Sequence, residues 1–172
     1  SAGDYDFFLA KFNASGGHIW SKRLCAANAE KGLGAFYGAG NIIITGSLFW
    51  TVDFGGGALA SAGYTDIFLA KFDASGTHIW SERFGDSDAQ NGGCLTVDDE
   101  GNIIITGLFS GTLDFGGGAL TPNIYLAKFD DAGSHLWSKG FGLPTLPMPM
   151  SIEADRKGNI FVCGGFQNHE DF

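Results

Sequence analysis

Basic side chains are scarce in this chain: ten Lys and Arg stand against nineteen Asp and Glu, for a formal net charge of −9. Such a surface repels phosphate backbones and anionic lipid, and no local basic patch offsets it, so nucleic-acid and membrane-surface binding are not expected. Long apolar runs are missing too. None approaches the roughly 20 residues that cross a bilayer, which argues against membrane insertion, and no charged-then-apolar leader opens the sequence, as in a chain whose leader has been removed. Cysteines are few: Cys25, Cys94 and Cys163 fall at three different places of the repeat described below, which excludes a repeating disulfide or metal motif and leaves small buried thiols as the expected role. A Cys94–Cys163 pair would suit an oxidising compartment, and the odd count leaves one thiol over. Nucleophile elbow, phosphate loop and zinc motif are all absent, so no catalytic residue is assigned, no cofactor is expected and the chain reads as no enzyme.

What is present is apolar and repetitive. With 44% hydrophobic, 14% aromatic and only 17% charged residues, the chain has the material for a core and too little charge for a disordered one, and it is expected to be soluble and acidic. The line FLAKFDASGTHIWSERFG from Phe68 nearly copies the line from Phe8, and a third version starts at Tyr125. Trp20, Trp80 and Trp137 mark steps of 60 and 57 residues, and GNIIITG at Gly40 and Gly101, with GNIFVCG at Gly158, keeps the same step. A unit written three times raises the question of what shape repetition closes into.

Each unit predicts four strands, A to D. In the middle copy Leu95–Asp98 is a short β-prone run, Asp99-Glu100-Gly101 a turn, and Asn102–Phe109 is dominated by β-branched and aromatic residues, which together read as a tight hairpin. Gly101 sits where a three-residue loop needs a positive φ, with Gly40 and Gly158 in the same slot. A second hairpin runs through Asp66–Asp73, a turn at Ala74-Ser75-Gly76, and His78–Phe84, with Gly16 and Gly133 as the matching glycines. Strands B and C do not alternate apolar with polar residues, as Ile103-Ile104-Ile105 and Ile67-Phe68-Leu69-Ala70 show, so both faces of the sheet must be covered. The expected fold is all-β: a β-propeller of four-stranded antiparallel blades. The order reads CD, ABCD, ABCD, AB, with a half-blade at 4–24, full blades at 33–84 and 94–141, and a half-blade at 149–172. The middle copy continues past Phe115 with Gly116-Gly117-Gly118 whereas the sequence stops at Phe172, which reads as a cut. About three blade-equivalents are too few for a ring, which typically takes about 4–8, so a longer propeller, or two copies joined head to tail through their half-blades into a six-bladed dimer, is expected.

The segment LTVDDEGNIIITGLFSGTLDFGGGALT, with its partners ending in FLAKFDASG and HIWSERFG, resembles the bacterial SBBP (seven-bladed β-propeller) repeats and is distantly similar to NHL and kelch-type blades. The resemblance covers nearly the whole chain. It implies a secreted or cell-surface protein with no shared catalytic set, and therefore an extracellular location.

Function is expected on the side of the ring where the B–C and D–A connections leave, because that side carries the long loops, Ser110–Gly118 and Gly85–Gly93. Asp53 and Asp114 precede Gly-Gly-Gly in the B–C loops, with Asp171 in the matching slot; they read first as caps of their own turns and second as calcium ligands. Asp86 and Asp88 in the D–A loop are a second calcium candidate, not preserved in the other copies. Trp50 replaces the repeat's Gly111 and Asn168 and reads as a surface or interface aromatic, or as a stacking platform for a sugar ring. Phe36-Tyr37-Gly38 and Leu143–Pro147 also break the pattern. His18, His78 and His135 occupy one slot of the outer strand in separate blades, so they cannot converge on a metal, and the neighbouring tryptophans read as interblade packing. The leading expectation is a non-enzymatic scaffold or interaction module for a protein or glycan, with a lectin-like carbohydrate binder as the alternative and part of a larger propeller enzyme as the third reading.

Overall fold

The computed structural model describes residues 7–24, 30–38, 40–121, 123–141 and 148–165. Every regular element among them is a strand. Sheet 1 is the hairpin β1 (Phe8–Phe12) and β2 (His18–Arg23). Sheet 2 has the order β3 (Glu30–Gly38), β4 (Asn41–Leu48), β7 (Asp66–Asp73), β8 (His78–Phe84). Sheet 3 repeats it with β9 (Gln90–Val97), β10 (Ile103–Phe109), β11 (Ile124–Phe129) and β12 (His135–Phe141), and sheet 4 is the hairpin β13 (Met148–Ala154) and β14 (Ile160–Gly165). All neighbours are antiparallel. A further two-stranded piece, β5 (Thr51–Asp53) and β6 (Ala58–Ala60), lies inside the B–C connection of sheet 2.

The apolar runs are explained by what covers each face. On β4 and β7 the period of two sends Ile42, Ile44, Phe68, Ala70 and Phe72 into one core with Leu9 and Leu24 of sheet 1. It sends Ile43, Ile67 and Leu69, with Phe84 of β8, into another core with Ile103, Ile105, Tyr125, Ala127 and Phe129 of sheet 3. Sheet 2 is thus a filled layer between two neighbours. Burying each such side chain contributes roughly 1.5–3 kcal/mol, and none of it is available to a sheet standing alone.

Strand A is the inner one. β9 lies against β3, β4 and β7 of sheet 2 on one side and β13 on the other. It also starts at Gln90, earlier than the β-prone run at Leu95 predicts, because polar and glycine residues join the ladder there. A Cβ on Gly92 would fall 2.3 Å from the Gly46 carbonyl of sheet 2, so only glycine allows the two backbones to approach so closely.

Five hairpin turns share one device. Asn13, Asp73, Asp98, Asp130 and Asp155 each accept hydrogen bonds through Oδ1 from the backbone N–H two and four residues on. The glycine three residues on has a positive φ in every case. The Asp or Asn at the turn's first residue is therefore structural.

Successive sheets are also clamped at these turns. Lys11 Nζ donates to Ala74 O at 3.3 Å and Lys22 Nζ to Gly76 O at 2.7 Å, while the Trp20 ring lies where a Cβ on Gly76 would be, 2.9 Å away. One step on, buried Lys71 reaches Asp131, Nζ to carboxylate 2.5 Å and to carbonyl 2.9 Å, and Trp80 Nε1 donates to Asp131 O at 3.4 Å. Lys128, the third of the series, pairs instead with Asp98 of its own sheet at 2.7 Å.

Two outcomes follow. Lys71→Ala lowers stability by about 1–2 kcal/mol, because a buried backbone contact and a packed stem go with the charge, while Asp131→Ala, whose side chain is exposed, costs under ~0.5 kcal/mol; urea midpoints at constant slope measure both, and equal effects would refute the clamp. Acid sensitivity is the second. Hydrogen bonds hold several carboxylates below their ordinary value: first from the Ser75 hydroxyl for Asp73, and first from the Asn159 side chain for Asp155. A depressed folded pKa stabilises the fold above the unfolded value near ~4 and stops doing so as pH falls through the folded values. The urea midpoint is therefore flat from about pH 7 to 5 and drops below about pH 4; a flat profile down to about pH 2.5 would contradict the role of the caps.

Candidate functional site

The long-loop side is not a uniform display surface. Val52 and Phe54 of one B–C connection, and Leu113 and Phe115 of the other, turn inward and plug the intersheet cores. Their alternation with polar residues is why the connection of sheet 2 forms the β5–β6 hairpin, where an irregular loop was expected; sheet 3 keeps only the Leu113–Leu120 bridge. The parts left outside are the loop ends.

Asp53 and Asp114 sit over the outer strand of their own sheets. Asp53 Oδ1 accepts from Gly55 N at 2.7 Å and Gly57 N at 3.1 Å, and Asp114 Oδ1 from Gly116 N at 2.7 Å and Gly118 N at 3.0 Å. The amides of Gly55 and Gly116 are the leading causes that hold these two carboxyls below the ordinary range. The middle glycine of each triplet lies against a histidine ring: a Cβ on Gly56 would fall 2.1 Å from the His78 ring, and one on Gly117 2.2 Å from that of His135. Each histidine shares a hydrogen bond with a serine of its own strand, His78 Nε2 with Ser81 Oγ at 3.0 Å and His135 Nε2 with Ser138 Oγ at 3.1 Å. His18 packs edge-on against Phe12, with ring centroids 5.7 Å apart. His78 and His135 hold loops in separate sheets, and among the described residues no group of three or more His, Cys, Asp or Glu is placed to hold a metal ion.

Asp86 is a staple. Its Oδ1 accepts from Asp88 N at 2.9 Å and from Nε2 of fully buried Gln90 at 2.6 Å, and its Oδ2 accepts from Thr112 N of sheet 3 at 3.0 Å. The Asp88 amide is the largest of the influences that keep its carboxyl below the ordinary value. Asp88 itself is exposed, and its carboxylate lies where a Cβ on Gly111 would be.

Trp50 lies next to this staple through a segment that reading the repeat alone overlooks. From Leu59 to Asp66 the chain is four residues longer than from Leu120 to Asn123, and the extra residues carry Tyr64. Ser61 N donates to Trp50 O at 2.6 Å, and the Tyr64 ring meets Phe49 edge-on with centroids 6.3 Å apart. A Cβ on Gly63 would collide with the Ser87 backbone, so the insert packs directly on the D–A loop that holds Asp86 and Asp88. Beneath it buried Asp66 pairs with Arg83 and accepts from Ala62 N at 2.7 Å. Trp50 is 62% and Tyr64 72% exposed, far more than a core aromatic tolerates. The structure thus brings Trp50, Asp86 and Asp88 into one neighbourhood, adds Tyr64 to it, and leaves Asp53 and Asp114 at the outer strands.

Of the remaining candidates, Cys94 and Cys163 are free thiols. Cys94 Sγ contacts Pro149 O at 4.0 Å, and burial first, then the nearby Cys163, pushes its pKa up. Cys163 is exposed on β14, opposite Ser151. Phe36-Tyr37-Gly38 closes β3 against Ile43, Ile42 and Asn41. Cys25, Asp171, Asn168, the Leu143–Pro147 segment and the outer ends of both half-blades lie outside the described residues.

No family model matches the chain, so the SBBP resemblance rests on the repeat residues alone. Among curated proteins the chain is similar to an uncharacterized WD repeat-containing protein of Acanthamoeba polyphaga mimivirus, at 22% identity over 202 residues, covering 94% of this chain. The match spans only 14% of that protein's length. WD repeats are propeller-blade repeats, so the similarity points to a β-propeller-like repeat fold.

Proposed function

We propose that the chain is a non-enzymatic interaction module, an arc of β-propeller blades of the SBBP kind that presents its long-loop face to a partner protein. One observation carries the reading: the departures from the repeat, Trp50 and the Tyr64 insert, fall side by side on that face, on top of the D–A loop stapled by Asp86. Among the described residues many of the remaining polar groups are taken up by turn caps that recur from sheet to sheet and by ion pairs between or within sheets, an arrangement that suits a scaffold better than a catalytic centre. Two exposed aromatics held on a segment that packs on the D–A loop have the composition of a binding anchor. The same pair favours a second reading, a lectin-like site in which a pyranose ring stacks on Trp50 and Asp88 accepts its hydroxyls. An extracellular or cell-surface location follows from the SBBP resemblance. The acidic caps need no metal, so calcium is not part of the proposal.

A phage-displayed peptide library and a glycan array, screened with the wild-type chain, test both readings. Binders selected on the peptide library are expected to lose at least ~30-fold in affinity with Trp50→Ala or Tyr64→Ala, about 2 kcal/mol, while the thermal midpoint stays unchanged. Sugar hits with the same dependence would establish the second reading in place of the first. Ligands indifferent to both substitutions would remove this face from consideration.

A further inference from the structure

The β1–β2 turn departs from the other capped turns at three positions at once. Its cap is Asn13, an amide where Asp73, Asp98, Asp130 and Asp155 put a carboxylate. Ser15 follows two residues on, and among the eight asparagines of the sequence Asn13 alone has Ser or Thr at that spacing, which is the spacing of an N-linked sugar acceptor. The third departure is Gly17. The matching slot holds Thr77, Asn102, Ser134 and Asn159 in the other turns, and a Cβ on Gly17 would fall 2.8 Å from Asn13 Nδ2.

The two ends of the Asn13 amide have separate roles. Oδ1 accepts from Ser15 N at 3.0 Å, Ser15 Oγ at 2.8 Å and Gly17 N at 2.7 Å, and the two backbone donors fix that end as the oxygen. Nδ2 keeps both of its N–H donors over a bare glycine, and no described residue accepts from it. In the A–B turns the equivalent end of the cap is engaged: Asn102 Nδ2 donates to Asp98 Oδ2 at 3.0 Å and Asn159 Nδ2 to Asp155 Oδ2 at 2.7 Å. An amide nitrogen is a poor nucleophile because its lone pair is delocalised into the carbonyl. Three hydrogen bonds on Oδ1 stabilise the charge that collects there as an Nδ2 proton leaves.

Every residue from Asn13 to Gly17 is exposed, and access to Nδ2 does not hinge on what precedes sheet 1. Trp20 and Lys22 of sheet 1 pack on the matching turn of sheet 2, and Trp80 of sheet 2 on that of sheet 3, yet Ser75, Thr77 and Ser134 all stay exposed. A sheet seated on the Asn13 turn in the same way covers Gly16 and leaves the Gly17 side open.

We propose that Asn13 is an acceptor for N-linked glycosylation, kept accessible by Gly17, with a sugar activated on a nucleotide or on a lipid carrier as the second substrate. The bond from Nδ2 to the anomeric carbon forms, the bond from that carbon to the donor's phosphate oxygen breaks, and the phosphorylated carrier leaves with its electron pair while one Nδ2 proton passes to a base of the transferase. Nothing is oxidised or reduced. The linkage spares Oδ1, so the turn keeps its cap, and the sugar stands on the side away from the long loops. None of the residues of the Trp50 face takes part.

Two reactions on the folded, purified chain test this and separate the donors: UDP-glucose with a soluble N-glucosyltransferase, and a lipid-linked oligosaccharide with a solubilised oligosaccharyltransferase, each followed by intact mass and peptide mapping. Sugar on Asn13 is expected in at least one of them. Asn13→Asp, which installs the cap of the other turns, and Ser15→Ala are expected to abolish transfer with an unchanged circular dichroism spectrum. Gly17→Thr, which copies the turn of sheet 2, is expected to slow transfer at least ~10-fold, since misplacing a reacting atom by about 1 Å costs that much or more. A chain left bare by both enzymes, sugar that persists on Asn13→Asp, or Gly17→Thr modified as fast as the wild type would overturn the proposal.

Discussion

The structure depends on each sheet being a layer between two others. A strand such as Ile42-Ile43-Ile44 has no wet side: Ile42 and Ile44 face sheet 1, Ile43 faces sheet 3, and all three are buried. With the roughly 1.5–3 kcal/mol that each such residue contributes on burial, a unit with one face open forfeits about half its gain, against an undiminished entropy cost of ordering the chain. Repeat folds of this kind are stable by neighbour contact, and their terminal units are where the account fails to close. The rest follows from that constraint: the inward strand A with Gly92 against Gly46, the lysine and tryptophan clamps that keep successive sheets in step, and the B–C connections that drop Phe54 and Phe115 into the seams.

Much of the fold was legible because repetition turns one ambiguous pattern into three readings of it. The Trp20, Trp80 and Trp137 spacing and the three G-N-I lines locate the A–B and C–D hairpins, and the unalternated apolar runs announce two-sided cover. The early half of strand A was not legible, since Gln90-Asn91-Gly92-Gly93 has no β-forming character; it is a strand only because glycine permits the crowded inner approach. The β5–β6 hairpin escaped for the opposite reason. Its alternation is carried by three-residue pieces too short to outweigh a run of glycines. In the site, an aspartate's role depends on which amides lie within reach of its carboxylate: Asp53 and Asp114, read first as caps of their own turns, do accept from those turns, whereas the reach of Asp86 to the Thr112 amide of the next connection has no signal in the sequence. Tyr64 had a signal in the length difference between the two B–C connections, visible once they are aligned on Leu59 and Leu120.

The acidity of the chain also finds a physical use. Asp73, Asp98, Asp130 and Asp155 hold turns on the short-loop side, and Asp53 and Asp114 hold the glycine triplets, so these six of the nineteen acidic residues are fixed in place by backbone amides. That arrangement leaves the short-loop side strongly repetitive and the long-loop side singular. Recognition of one partner needs a unique constellation, and a repeat can supply it only by breaking its own pattern.

Trp50 and the Tyr64 insert are such a break, and their support makes them more than a scatter of surface aromatics. An exposed tryptophan on a mobile loop loses much of its binding energy in becoming ordered. Here the loop is tied at three points: Ser61 to the Trp50 carbonyl, Gly63 against Ser87, and the buried Asp66–Arg83 pair beneath. Asp86 extends the tie to Thr112 of the next sheet, so the face is braced across an intersheet seam. The same seams that stabilise the layers therefore hold the loop rigid, and a sheet left without its neighbour would lose both its core and the fixed geometry of any site built above it.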